Sequence, residues 1–132
     1  MSADRKDLAK ERKDMIQSYK DLTVYVKSYN ICLRIYEEAR KFPKEELYGL
    51  TSQIKRASTS IPLNIAEGYG KRESGAEFKR FLQMAIGSCD EMRVLLDLSV
   101  DLKFIEESIY REMYAGYDEI GKMLGGLYSK WK

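Results

Sequence analysis

A chain of 132 residues and 15.4 kDa fits one domain, large enough to bury a core without metal or disulfide staples. Hydrophobic residues at 44% and charged residues at 33% make it globular, and the lack of any His excludes a Ser-His-Asp triad, a Cys-His pair and a His-ligated zinc or iron site. Lys and Arg number 23 and Asp and Glu 21, a formal net charge of +2 that does not itself mark a nucleic-acid binder, so any electrostatic argument rests on local clustering.

From Met1 to Phe42 there is neither Gly nor Pro. In this first segment Met15, Tyr19, Leu22, Val26, Tyr29, Leu33 and Tyr36 recur at steps of four and three. They form one continuous apolar stripe on a helix that ends near Lys41, ahead of Pro43. Residues 1–18 are a polar extension. Leu8 fits the phase of the stripe, which lets the helix begin near Asp4; fraying from about Ser18 is the alternative. Cys32 has no C-x-x-C partner and lies far in sequence from Cys89. The pair predicts free thiols and, without a signal peptide, a reducing cytoplasm.

The second segment opens with Pro43 in its first turn and Glu45 and Glu46 at the positive helix end. Leu47, Leu50, Ile54, Ala57, Ile61 and Ile65 form its stripe. Pro62 lies inside it and frees the carbonyl of Ser58, which predicts a kink around 58–62 with Ser58, Thr59 or Ser60 satisfying the freed groups. Gly68 and Gly70 end the helix. Asn64 and Glu67 lie one turn apart beside the stripe. They read as polar groups paired with a neighbouring helix or subunit, with Arg56 or Arg80 as partners; a catalytic pair is the alternative.

Ser74-Gly75-Ala76-Glu77 reads as a capping box for the third helix. Its face runs Phe78, Leu82, Ala85, Cys89, Met92 and Leu96, with a second stripe beside it through Phe81, Ser88, Leu95 and Leu102. Asp90, Asp97 and Asp101 share one side at spacings of seven and four, a solvated face rather than a metal site. The fourth helix runs from about Glu106 to Trp131, with Tyr110, Met113, Tyr117, Ile120, Leu124, Leu127 and Trp131 in heptad spacing. No apolar run is long enough to cross a membrane.

No alternating strand pattern stands out. Four helices of roughly 30–40 Å each, joined by short loops, predict an all-α, antiparallel up-down-up-down bundle over residues 19–132. The wide face of the third helix, with Gly116, Gly121, Gly125 and Gly126 on the fourth, points to a homo-oligomer. The alternative is that the glycines only allow close packing inside one bundle. The main charge feature is Lys55, Arg56, Lys71, Arg72, Lys79 and Arg80. Lys71, Arg72 and Lys79 should meet at one bundle end, where Tyr69 offers a stacking surface for single-stranded nucleic acid. Gly68-Tyr69-Gly70 follows a helix and lacks the Lys-Ser/Thr of a phosphate loop, so no nucleotide cradle is expected.

The run Ser60-Ile61-Pro62-Leu63-Asn64-Ile65-Ala66-Glu67-Gly68-Tyr69-Gly70 resembles the hallmark of the four-helix-bundle proteins encoded in intervening sequences of bacterial 23S ribosomal RNA genes. The flanks agree: Lys41 through Leu50 upstream, and Glu77-Phe78-Lys79-Arg80-Phe81-Leu82 with Gly87, Ser88 and Glu91 downstream. Pro62, Asn64, Glu67 and Gly68 are then structural motif positions. Lys103 stands where the family often has Gly. The resemblance implies a barrel-like pentamer with no enzymatic activity and no cofactor. It also implies kinship with accessory proteins of diversity-generating retroelements, which bind a reverse transcriptase and nucleic acid. Those relatives look strongly basic, whereas this chain has a pI of about 8.4.

Overall fold

The computed structural model describes residues 17–131. Four helices carry the fold: α1 (Thr23–Ala39), α2 (Leu50–Gly70), α3 (Gly75–Asp101) and α4 (Glu107–Lys130). Each packs on the next in chain order and α4 returns to α1, while no Cα of α1 comes within 8 Å of one in α3. That is the up-down-up-down arrangement expected from short connections. The same diagonal separation keeps Cys32 on α1 and Cys89 on α3 too far apart for a disulfide.

Before α1, Ser18 caps a 3-10 turn at Tyr19–Asp21, and its hydroxyl and the Asp21 carboxylate close a reciprocal capping box. Leu22 is extended, with φ −74° and ψ 126°, so α1 begins at Thr23. The anticipated helix from Asp4 falls outside the described residues for positions 1–16.

The face that α1 turns inward is not the stripe legible in the sequence. Val24, Ser28, Ile35 and Ala39 are buried, whereas Val26, Tyr29, Leu33 and Tyr36 are 36–52% exposed. At ~100° per residue the centres of the two sets lie roughly 130° apart around the helix. The inward face is the smaller one. Ser28 satisfies its hydroxyl on the Tyr25 carbonyl at 2.9 Å. Ile31 presses on Gly116 of α4, where a Cβ would lie 2.6 Å from Ile31 Cδ1. Small residues bring α1 close to its neighbours, and the tyrosines are left outside.

Pro43 opens a separate 3-10 turn, Lys44–Glu46, and α2 starts later, at Leu50. Leu47 is consequently exposed, while Leu50, Ile54, Ala57, Ile61 and Ile65 are buried as the stripe requires. The helix runs through Pro62 without a break. The hydroxyls nearby bond to carbonyls other than that of Ser58: Ser58 and Thr59 to Lys55, and Ser60 to Ala57. Gly68 is a crossing point rather than a stop. A Cβ there would sit 2.7 Å from Phe81 Cβ, so its absence lets α2 and α3 touch.

At the start of α3 the Ser74 hydroxyl accepts from Glu77 N–H at 3.2 Å. The Glu77 carboxylate turns to Arg80 instead of closing the box. The end of α3 is a Schellman cap: Phe104 N–H donates to Ser99 O at 2.8 Å and Lys103 N–H to Val100 O at 3.0 Å. It places Lys103 at φ 65°, in the left-handed region. The core fills the space between with Ile35, Ile54, Ile61, Phe78, Leu82, Met92, Tyr117 and Leu124, all essentially inaccessible. Of the α4 glycines, Gly116 and Gly121 face neighbours within the bundle, while Gly125 and Gly126 meet nothing within 4 Å. No described helix is long and apolar enough to cross a membrane.

Candidate nucleic-acid interface

Antiparallel topology puts the end of α2, the start of α3, the end of α4 and the start of α1 together. That end carries Lys20, Lys71, Arg72, Lys79, Arg80 and Lys130 against Asp21, Glu67, Glu73 and Glu77. The opposite end carries Glu37, Glu38, Glu45, Glu46, Asp101, Glu106, Glu107 and Glu112 against Arg40, Lys41, Lys44, Lys103 and Arg111. A chain of nearly balanced charge is therefore polarised along the bundle axis, which its net charge hides.

Four of the six cations singled out in the sequence meet here, each over an aromatic ring. Lys71 Nζ lies 4.8 Å and the Arg80 guanidinium 4.5 Å from the centre of the Phe81 ring. The Arg72 guanidinium lies 4.1 Å over Tyr69 and also donates to the Tyr69 carbonyl at 2.9 Å. Lys79 Nζ lies 5.0 Å over Tyr128, whose hydroxyl accepts from Gln83. Below them Tyr69, Phe78 and Trp131 stack edge to face, at 6.3 and 4.5 Å. Rings beneath the cations hold them by cation–π attraction without neutralising their charge.

Arg80 is also paired with Glu77 at 2.7 Å. That hydrogen bond holds the Glu77 carboxyl below its usual range. Lys55 and Arg56 do not join the cluster. They lie about 24 Å up α2 by helix rise from Lys71 and Arg72, with Lys55 over the Tyr36 ring at 5.2 Å and Arg56 paired with Glu91 of α3. The face of Tyr69, expected to be open for stacking, is covered by Arg72.

Asn64 and Glu67 do not pair with the arginines suggested for them. Asn64 Nδ2 donates to the Ser60 carbonyl of its own helix at 2.8 Å. Glu67 is exposed and has no cation within 4 Å among the described residues. Neither lines the cavity beside Gly116 or the one between Tyr19 and Ala66. Asp90 pairs with Arg93, and Asp97 accepts from Tyr110 at 2.6 Å, which pushes the Tyr110 phenol up to about 12. Among the described residues no group of three or more acidic or thiol side chains is placed to hold a metal ion. Phe81, Tyr128 and Lys130 were not legible as site residues. Phe81 and Tyr128 look like helix-face residues until the fold sets them beside Lys71 and Lys79.

The fold and this end of it define a small all-α four-helix-bundle protein with a cationic tip backed by aromatic rings. The chain belongs to the 23S rRNA-intervening sequence protein family, whose pattern it matches over residues 20–126. It is similar to a crystal structure of a protein of unknown function from the S23 ribosomal protein family of Bacteroides thetaiotaomicron VPI-5482. The two share 27% identity and a TM-score of 0.74, over 81% of this chain and 96% of that one. The chain matches none of the curated proteins.

Proposed function

We propose that this protein is a non-enzymatic, self-assembling scaffold that binds RNA or single-stranded DNA weakly and without sequence preference, in the cytoplasm. The observation that carries the reading is the polarised end, where Lys71, Arg72, Lys79 and Arg80 project over Phe81, Tyr69 and Tyr128. Lys71 and Lys79 keep their N–H groups for phosphate oxygens, Arg72 spends one on the Tyr69 carbonyl and Arg80 is shared with Glu77; each phosphate contact releases counterions. One bundle offers three or four such contacts, which is weak. A ring repeats the patch around its axis, and a strand that reaches several copies gains by effective concentration. The resemblance supports five copies per ring and adds a reverse transcriptase as a protein partner.

The test is a titration of structured RNA and single-stranded DNA at ~50 and ~200 mM salt, with Lys71→Glu/Arg72→Glu alongside. Binding that weakens steeply with salt and is lost in the double variant supports the proposal. Absence of binding at the lower salt, or binding indifferent to the charge reversal, overturns the nucleic-acid part. A protein-interaction module with an incidental basic end is the second reading. It is favoured by the exposed stripe Val26, Tyr29, Leu33 and Tyr36 on α1.

A further inference from the structure

Tyr48 is 93% exposed, far more than any other large apolar side chain among the described residues. It stands on the turn before α2, next to Leu47, itself 53% exposed. In the half of the bundle away from Tyr48 a cavity of about 240 Å³ opens between α1, α2 and the 3-10 turn, running from Thr59 at mid-helix to Tyr19 and lined in part by Tyr25, Tyr29, Pro62 and Ala66. Its aromatic wall is preformed. Tyr19 and Tyr25 meet edge to face at 5.0 Å, and Tyr25 and Tyr29 lie 6.0 Å apart.

We infer that Tyr48 of one copy inserts into this Tyr19–Tyr29–Pro62–Ala66 cavity of a second copy. This rests on the self-assembly proposed above and names the surfaces that carry it. The cavity is larger than a phenol ring and lined mainly by apolar groups. Tyr48 cannot reach it within its own chain. Pro62 and Ala66 lie 14 and 18 residues further along, and from the first residue of α2 that is about 18–24 Å by helix rise.

Each partner surface extends beyond the anchor. Around the cavity stand Val26, Tyr29, Leu33 and Leu63, between 43 and 55% exposed. At Tyr48's end of the bundle stand Val94 and Leu98 of α3 and Leu102, which caps it, between 46 and 58% exposed. Summed over both surfaces, these residues expose on the order of 1,000 Å², backbone and hydroxyl atoms included, which is the larger part of a standard ~1,600 Å² interface before any flanking polar residue is counted. The two surfaces are different and lie toward opposite ends, so the contact is head-to-tail. Each copy keeps a free anchor and a free cavity until a ring closes.

The test uses the full chain and measures mass by light scattering during size exclusion. Wild type should run at several times 15.4 kDa. Tyr48→Ala removes the anchor and Ala66→Phe fills the cavity. Each alone should run as a monomer with unchanged helical circular dichroism. A one-to-one mixture should give a dimer and nothing larger, because one intact anchor meets one intact cavity. An oligomeric wild type whose mass Tyr48→Ala leaves unchanged overturns the anchor while self-assembly stands. Monomeric variants that do not combine overturn the pairing. A monomeric wild type overturns self-assembly and this inference with it.

Discussion

Gly68 of α2 lies so close to Phe81 of α3 that a Cβ added at the glycine would sit 2.7 Å from Phe81 Cβ and 3.1 Å from Phe78 Cδ1. Phe81 Cβ is anchored directly to its backbone and cannot swing aside as a side-chain end does. Any substituent therefore pushes the two helices apart, at the place where Lys71 and Arg80 converge on the Phe81 ring.

Gly68→Ala should destabilise the bundle by about 1–3 kcal/mol, because overpacking at a fixed contact outweighs the gain in helix propensity. Gly126→Ala is the matched control. Nothing lies within 4 Å of its Cβ position, so the propensity gain should raise stability by up to about 1 kcal/mol. Urea midpoints of the two variants should therefore move in opposite directions. Equal shifts would show that the Gly68 crossing is not tight.

Lys103→Gly should stabilise the protein by about 1 kcal/mol. Lys103 sits at φ 65° because the two cap hydrogen bonds to Ser99 and Val100 require it. A residue with a Cβ is disfavoured there by roughly 1–2 kcal/mol, of which Gly returns part as its own unfolded-state entropy. The family resemblance locates the position and the backbone supplies the reason. A melting temperature unchanged or lowered in the variant contradicts it.

The helices were legible because α2, α3 and α4 bury the residues that their 3.6-residue period marks, such as Ile54, Ile61, Leu82 and Leu124. On α1 periodicity misled, since two apolar stripes share one helix. The longer and more aromatic stripe stayed outside because Ile31 and Ser28 fit closely against the bundle, Ile31 on Gly116. Sequence spacing cannot tell a buried face from an apolar one left exposed. The site was half legible for a related reason. Lys71, Arg72, Lys79 and Arg80 are close in the chain across one turn, so their meeting follows from topology. Lys55 and Arg56 are on the same helix as the end of that turn but several helical turns away. The aromatic partners Phe81 and Tyr128 come from different helices.

Tyr117→Phe should leave the fold intact and raise stability by about 1 kcal/mol. The Tyr117 ring is fully buried, and its hydroxyl has no hydrogen-bond partner among the described residues. Removing it relieves a desolvated polar group while keeping the packing. Tyr117→Ala, which empties the same space, should cost about 3–5 kcal/mol. A destabilised phenylalanine variant in chemical denaturation would mean that the hydroxyl is satisfied after all.

The two thiols should behave differently, and one of them should tie stability to alkaline pH. Cys32 is half-buried beside Ser58 and Thr59, whereas Cys89 is inaccessible. A thiol reagent should modify Cys32 in the native protein and reach Cys89 after unfolding. Burial pushes the Cys89 thiol from 9.0 up to about 12, Arg93 pulling it slightly back and Asp90 adding to it. The sign follows from proton counts. Between those two values the unfolded chain loses the Cys89 proton while the native chain keeps it, so rising pH favours unfolding. The stabilisation is whole below about pH 9 and is lost as pH climbs toward about 12. Tyr117, raised by burial, and Tyr110, raised mainly by its bond to Asp97, act in the same direction. Urea midpoints should fall between about pH 9 and pH 11, and Cys89→Ala should make that decline shallower. An equally steep decline in Cys89→Ala would assign the whole alkaline effect to the tyrosines and to general charge repulsion.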